Sequence, residues 1–248
     1  MPDITLLSSP HISSIETFER AIGKSWRIDK DATDSELLIE YCGRVCYLSF
    51  GENQSPKNNR QYIRNLIDQG HESVLEHATW SFLATNITRS FTHQLVRHRV
   101  GFSFSQLSQQ YADQSDTPYT KIDQMDLPPE KRAHWIQIRD ELHAFYQELI
   151  TDASMENEKE MRRRRYSAAR LVLPNDLNTV VAFSANARSL RHFLTIRGGI
   201  VGDLEMRRFS ASLLDLISGE APAVFEDFST EYDDEGEPIV IKDLSPRS

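Results

Sequence analysis

The sequence of 248 residues has little cysteine, few glycines and prolines, and no long hydrophobic run. Its two cysteines, Cys42 and Cys46, stand four residues apart. That is neither the Cys-x-x-Cys spacing of a redox motif nor half of a zinc quartet, so two reduced, partly buried thiols are predicted. Ten glycines and ten prolines, with 39% hydrophobic and 26% charged residues, exclude fibrous and wholly disordered chains. Every apolar run is far shorter than the roughly 20 residues that span a bilayer, so no membrane interaction is expected.

Several familiar functional motifs are also missing. The chain has no phosphate-binding Gly-x-x-x-x-Gly-Lys loop, and Gly198-Gly199 follows a predicted helix instead of the strand that a dinucleotide fingerprint requires. His71-Glu72 is followed by a histidine only at His77, so the two imidazoles cannot share one helical face as a zinc protease site demands. No metal site is predicted. The first residues lack the basic and then apolar pattern of a secretion signal, and a cytoplasmic protein is therefore expected.

Acidic residues are missing from two stretches of a chain that is acidic overall. The 37 Asp and Glu outnumber the 28 Lys and Arg, a net charge of -9, which argues against binding of nucleic acid. No carboxylate stands between Glu76 and Asp113, and between Glu160 and Asp203 eight arginines are accompanied by Asp176 alone. Arginine binds phosphate and carboxylate through a planar, two-point fork, so this pattern predicts a pocket for an anion. Ordinary solvated charge with chance gaps is the alternative.

Hydrophobic spacing predicts many helices and few strands. Helices are predicted over 35–47, 58–69, 156–171, 187–197 and 203–218, with a long one opening at Pro128-Pro129 whose Ile138, Leu142, Phe145 and Leu149 line one face. A strand is predicted over 76–88, a short strand or a buried apolar run over 178–186, and an extended or looping segment over 102–113. Thr88 is a predicted N-cap for a helix that ends at Gly101. The pattern predicts an α+β fold in a single domain over 1–219.

The last residues differ in composition from the rest. From Glu220 to Ser248 there are nine acidic residues against two basic ones. Low hydrophobicity with charge of one sign disfavours a packed core, so a poorly ordered or peripheral tail is predicted over 220–248.

One segment carries a specific signature. RHRVGFSFSQLSQQY, beginning at Arg97, resembles the Arg-His-Arg, seven residues, Ser motif of the flavin-dependent thymidylate synthases. GHESVLEH from Gly70, and ARLVLP and NARSLRHFLTIRG between 169 and 198, match further family blocks in the expected order, and the short RVCY from Arg44 resembles an early one. Three positions depart from the family pattern: eight residues separate Arg99 from Ser108, Gln110 stands where Arg is usual, and Asp203 replaces a common Gln.

The resemblance implies a function and an assembly. Family members convert deoxyuridylate (dUMP) to thymidylate (dTMP), with methylenetetrahydrofolate as carbon donor and NADPH as the reductant of a bound FAD. The implied fold is a family-specific α+β arrangement with a central, mainly antiparallel sheet and flanking helices. A homotetramer with active sites between subunits is implied, with small-molecule substrates and no nucleic acid.

The resemblance also assigns residues to roles. It implies that Arg197 activates the uracil ring. The residues implied around dUMP are Gln94, Leu95, Val96, Arg97, Gln106, Leu107, Ser108, Gln109, Gln110 and Arg170. Those implied around FAD are Ser73, Arg97, His98, Arg99, Gln106, Asn186, Ala187, Arg188 and His192, with His71 near the flavin.

Two other functions are compatible with parts of the sequence. The unrelated thymidylate synthase that uses a cysteine nucleophile would have to employ Cys42 or Cys46. A non-enzymatic anion- or RNA-binding protein could use Arg97-His98-Arg99 and the four arginines from Arg162 to Arg165, although the net acidity weighs against it.

Overall fold

A computed structural model describes residues 2–56, 58–121, 126–151 and 158–243. The chain divides into two compact units. The first unit consists of Met1–Asp3, Ala84–Arg97 and Ser105–Ala182. The second unit consists of Ile4–Leu83, His98–Phe104 and Phe183–Ser248.

Two sheets are present in the described part of the chain. The larger is formed by β1 (Asp3–Ser8), β2 (Thr79–Thr88), β3 (Phe102–Gln106) and β4 (Asn178–Asn186), in the order β1-β2-β4-β3. The smaller pairs β5 (Phe228–Tyr232) with β6 (Pro238–Lys242) antiparallel. An antiparallel sheet flanked by helices confirms the predicted α+β class.

Helices account for about half of the chain. They are α1 (Ile15–Ile22), α2 (Asp34–Val45), α3 (Asn59–Asp68), α4 (Arg89–Leu95), α5 (Pro129–Ile150), α6 (Lys159–Ala169), α7 (Ala187–Arg197), α8 (Leu204–Glu220) and α9 (Pro222–Phe225). Short 3-10 helices cover Gly51–Asn53, Glu72–His77 and Arg170–Val172. No helix within the described ranges is long and apolar enough to cross a membrane.

Predicted helix starts are confirmed where a capping side chain was present. Thr88 caps α4, because its Oγ1 accepts a hydrogen bond of 2.9 Å from the Phe91 N–H. The helix is shorter than predicted, since it ends at Leu95 and not at Gly101. The helix ends early because its last residues form a tight turn, in which the Arg97 N–H donates to the Gln94 carbonyl. The chain then continues to β3.

Helix α5 has two apolar stripes. The inner one includes Tyr146 and Ile150, which are buried against α6 in the first unit. The predicted face is a different stripe, and it is exposed: Ile138 is 45%, Phe145 47% and Leu149 39% accessible. Spacing alone identified an apolar face correctly but could not tell whether this chain covers it.

Residues 220–243 of the predicted acidic tail are folded and not poorly ordered. Val224 and Phe225 in α9 are buried, and β5 and β6 form a hairpin with Val240 buried. Arginines from earlier helices neutralise several of its acids, as where Arg191 of α7 forms a bidentate ion pair with Asp227 at 2.6 and 2.7 Å. The composition of residues 220–248 alone does not show these arginines, because they lie earlier in the sequence. Residues 244–248 lie outside the described residues.

The second unit contains a fully buried ion pair on α2. The Arg44 Nε donates to Glu40 Oε1 at 2.6 Å, and both side chains are at most 1% exposed. Further hydrogen bonds surround the pair: the arginine donates to the carbonyls of Ser49 and Pro56, and Glu40 accepts from Asn59. The early family-like RVCY block therefore begins with a structural arginine and not with a ligand-binding one.

Candidate active site

The junction of β4 and α7 forms one side of the candidate site in the second unit. Asn186 caps α7, since its Oδ1 accepts the Ser189 N–H at 2.9 Å. The Asn186 N–H donates to the carbonyl of Gly101 at 3.2 Å. Gly101 has a φ of +69°, and a Cβ there would collide with the side chains of Ser189 and Asn186. Glycine thus allows the Arg99–Ser108 segment, one residue longer than the family spacing, to pass close to the start of α7.

Most of the predicted flavin residues in the second unit present polar atoms at its surface. Ser73, Arg99, Arg188 and His192 are exposed, and Asn186 and His98 are half-buried. Ala187 is fully buried, so only its backbone is available to a ligand. The exposed set is rich in donors and suits a phosphate-bearing cofactor. His71, also exposed, precedes the 3-10 helix that carries Ser73.

Arg188 is held by carboxylates that the sequence reasoning did not select. Its Nη1 donates to Glu76 at 2.6 Å, and its Nε lies 3.8 Å from Glu72. The hydrogen bond with Glu76 and both negative charges raise the pKa of the guanidinium. Both acids belong to the GHESVLEH block, and this match to the family could have drawn attention to them in the sequence. An anion that binds Arg188 must compete with these two partners.

Arg197, at the end of α7, has a different kind of partner. Its Nε donates to His98 Nε2 at 3.1 Å. Burial first, and then the positive charge of Arg197 and the nearby His192, lower the pKa of His98 to about 4. The imidazole is therefore neutral near pH 7. Within the described ranges no carboxylate lies within ion-pair distance of Arg197, so its positive charge is not neutralised.

In the first unit, α4 and the end of β3 are joined by side chains. The Gln106 Nε2 donates to Thr92 Oγ1 at 2.9 Å, and the Leu107 N–H donates to the Val180 carbonyl of β4. The chain then turns at Ser108, whose Oγ accepts the Gln110 N–H at 3.3 Å. Among the described residues no histidine or carboxylate is hydrogen-bonded to the Ser108 hydroxyl, so the base that activates a serine nucleophile is not in contact with it.

The remaining predicted dUMP residues differ in exposure. Leu95 is fully buried and Gln109 is nearly so, and their side chains therefore do not line an open surface. Arg97 and Leu107 are exposed, and Gln94, Val96 and Arg170 are half-buried.

An additional arginine, Arg89, joins Arg170 in the first unit. Burial and then the charge of Arg170 lower the pKa of Arg89. Neither arginine has a carboxylate within ion-pair distance in the part of the chain that the structure describes. Two partly buried cations that repel each other without a counter-charge would be stabilised by an anion between them. Arg89 lies in the first acid-free stretch, the signal that could have selected it.

The cysteines do not have the surroundings of a nucleophile. Burial, and then neighbouring Cys46, raise the pKa of Cys42, whereas a reactive thiol needs it lowered. Both thiols are free, and Cys46 is exposed instead of partly buried as predicted, because it caps the end of α2. No group of three or more metal-binding side chains occurs among the described residues.

A cavity of about 410 Å³ in the second unit is not part of this site. It is lined by Asp29, Glu36 and Glu226 among other residues, and by none of the predicted ligand residues. Two of its carboxylates already bind groups of the chain: Glu36 accepts the Ala223 N–H at 2.6 Å, and Glu226 pairs with Arg64 at 2.5 Å. The cavity is acidic, which does not suit the anionic ligands that the sequence predicts.

The fold and the donor sets define an α+β protein with exposed and half-buried arginines in both units. Residues 29–223 match the model of the thymidylate synthase complementing protein family. The chain is 36% identical over 226 residues to a flavin-dependent thymidylate synthase of Corynebacterium diphtheriae, with 89% of each chain covered. It is 38% identical over 221 residues to that of Mycobacterium marinum (87% of this chain, 88% of the other). It is 40% identical over 204 residues to that of Mycolicibacterium vanbaalenii (80% and 81%). The chain therefore belongs to the family of the flavin-dependent thymidylate synthases.

Proposed function

We propose that the protein is a cytoplasmic flavin-dependent thymidylate synthase. It converts dUMP to dTMP with methylenetetrahydrofolate as carbon donor and NADPH as the source of electrons for bound FAD. The observation that carries the proposal is the family match over residues 29–223, which contains every residue of both ligand sets and Arg197.

The donor set of the second unit fits FAD. Arg99, Arg188 and His192 are exposed side chains that can bind phosphate oxygens, and Ser73 adds a hydroxyl. When bound, the flavin supplies the hydride that the transferred carbon needs to become a methyl group. Because Glu76 and Glu72 already pair with Arg188, we expect this arginine to exchange a carboxylate for a phosphate oxygen on binding.

Arg197 is proposed to act on the uracil ring. A guanidinium beside the ring stabilises negative charge on N3 and its flanking carbonyls, and electron density at C5 then increases. C5 can attack the carbon donor without a covalent bond to the enzyme. The role requires an arginine whose charge is not neutralised by a carboxylate, which is the state of Arg197 beside His98.

The two neighbouring arginines of the first unit, Arg89 and Arg170, are proposed to bind the dUMP phosphate. We expect Arg89→Ala and Arg170→Ala each to weaken dUMP binding by roughly tenfold to a hundredfold, the loss of one charge-assisted contact of about 1.5–3 kcal/mol. Removing either charge also relieves their repulsion, so the melting temperature of the free protein should stay level or rise.

Calorimetric titration with dUMP and a melting curve test this pair. Arg164→Ala is the matched control, because this exposed arginine pairs with Glu160 on α6. Unchanged dUMP affinity in both variants would remove the two arginines from the nucleotide site.

Flavin binding and turnover test the function itself. The purified protein, incubated with FAD and desalted, should keep flavin absorbance and should form dTMP only when dUMP, methylenetetrahydrofolate and NADPH are all present. Omission of each component in turn separates the carbon donor from the reductant. A protein that retains no flavin and forms no dTMP in the complete mixture contradicts the proposal.

We also propose a homotetramer with active sites between subunits. The exposed stripe of α5 supports it: Trp135, Ile138, Leu142, Phe145 and Leu149 recur at alternating spacings of three and four residues. That is the spacing of a helix-pairing seam, and four of the five side chains are 39–47% exposed.

Phe145→Glu should therefore dissociate the assembly into smaller species, since a carboxylate in an apolar seam is costly to bury. Ala144→Glu adds the same charge one position along, away from the stripe, and should leave the mass unchanged. Sedimentation velocity measures the mass of the assembly in each variant. If Phe145→Glu and Ala144→Glu have the same mass, α5 does not form the interface.

A further inference from the structure

The three arginines of α7 differ in what holds them. Arg188 pairs with Glu76, and Arg191 pairs with Asp227. Arg197 instead donates through its Nε to the ring nitrogen of His98, at 3.1 Å. A carboxylate partner orients a guanidinium and also cancels its charge, whereas a neutral imidazole orients it and leaves the charge in place.

The His98 ring is itself fixed by packing. Phe193 meets it edge-on at 5.0 Å between ring centres, and Phe102 lies tilted at 5.9 Å. Because Nε2 accepts the bond from Arg197, the proton of the neutral ring belongs on Nδ1. The facing charged or titratable groups are Arg197 and His192, which lower its pKa after the larger effect of burial. His98 thus remains an acceptor throughout the neutral range.

We propose that His98 is a positioning residue for Arg197, fixing the guanidinium through Nε so that its two terminal NH2 groups and its full charge are available to the uracil ring. This inference rests on the proposed function for the role of Arg197, but the bond itself can be tested without turnover. It gives the central histidine of Arg97-His98-Arg99 a task separate from contact with the flavin.

Titration of His98 in the cofactor-free protein tests the bond. In protein labelled with 15N-histidine, His98 is identified by the signal lost in His98→Phe. We expect its Nδ1-protonated form near pH 7, and a rise of its pKa towards the ordinary 6.5 in Arg197→Met, because the adjacent positive charge is removed. Arg188→Met removes an arginine of the same helix that is not bonded to His98 and should change nothing. An unchanged His98 titration in Arg197→Met overturns the proposal.

Kinetics test the consequence of the bond. His98→Phe keeps the aromatic contacts but removes the acceptor, and we expect kcat to fall about tenfold or more at saturating FAD and dUMP. His98→Gln restores an acceptor and should recover part of the loss. In an Arg197→Lys background, His98→Phe should add little, since both changes remove the same interaction.

Two kinetic outcomes overturn the positioning role: losses that simply add in the double variant, or a His98→Phe defect that disappears once flavin is saturating. A wild-type protein without turnover would instead contradict the proposed function, and the histidine titration would still test the bond.

Discussion

Arg197→Lys is expected to lower kcat at least about a hundredfold, near 2.7 kcal/mol, with flavin still bound and the assembly intact. Lysine keeps the positive charge but lacks the planar fork that binds the uracil edge at two points and the Nε that donates to His98. The loss should affect the transition state more than the ground state, because negative charge on the ring develops during the reaction.

Steady-state kinetics at saturating dUMP, with a melting curve, distinguish this role from a structural one. Arg197 is also the last residue of α7, where a cation stabilises the helix end. Lysine serves that purpose as well, so a purely structural arginine would give near-normal kcat and a slightly lowered melting temperature. That result would mean that the catalytic assignment is wrong.

Glu40→Ala is expected to destabilise the protein by about 3–5 kcal/mol, the typical cost of removing one partner of a buried ion pair. Arg44 would be left charged, fully buried and without its carboxylate. The Asn59 amide and the Trp26 indole N–H would lose an acceptor as well. Chemical denaturation monitored by tryptophan fluorescence measures the change.

Glu40→Gln is the matched variant, because it keeps the shape and one acceptor and removes only the charge. Its free energy of unfolding should lie between that of the wild type and that of Glu40→Ala. Arg164→Ala, which breaks an exposed ion pair with Glu160, should cost less than about 1 kcal/mol. If Glu40→Ala is no more harmful than Arg164→Ala, the buried pair does not stabilise this unit.

Local signals predicted most of the elements around the candidate site. The helix over 187–197 is found as predicted, and 178–186 is a strand, one of its two predicted forms, because alternation and helical spacing act over a few neighbouring residues. Strand β1 and helix α1 were not predicted, since residues 1–30 have mixed composition. Their hydrophobic residues, such as Phe18 beside Tyr41, gain partners only from distant sequence.

The features that could not be predicted from the sequence depend on contacts between residues far apart in the chain. The burial of Arg44 was not predicted, because Pro56 and the Tyr62 ring, which cover its guanidinium, come from later in the chain. Three acids in or next to the C-terminal hairpin, Asp227, Asp233 and Glu237, likewise pair with arginines of α7 and α8. The predicted ligand residues came from family resemblance, whereas the interaction of Arg89 with Arg170 and the bond between His98 and Arg197 required coordinates.

The hairpin of β5 and β6 also affects when the site can form during synthesis. Gly198, the residue after Arg197, accepts a hydrogen bond from the Val240 N–H at 3.0 Å, and it packs so closely that a Cβ there would meet Val240 at 2.6 Å. The ribosome delivers residues in order, and early segments begin to fold before later ones emerge. The end of α7 therefore lacks its contact with Val240 until β6 has been translated, and Arg197 reaches its final surroundings only after that.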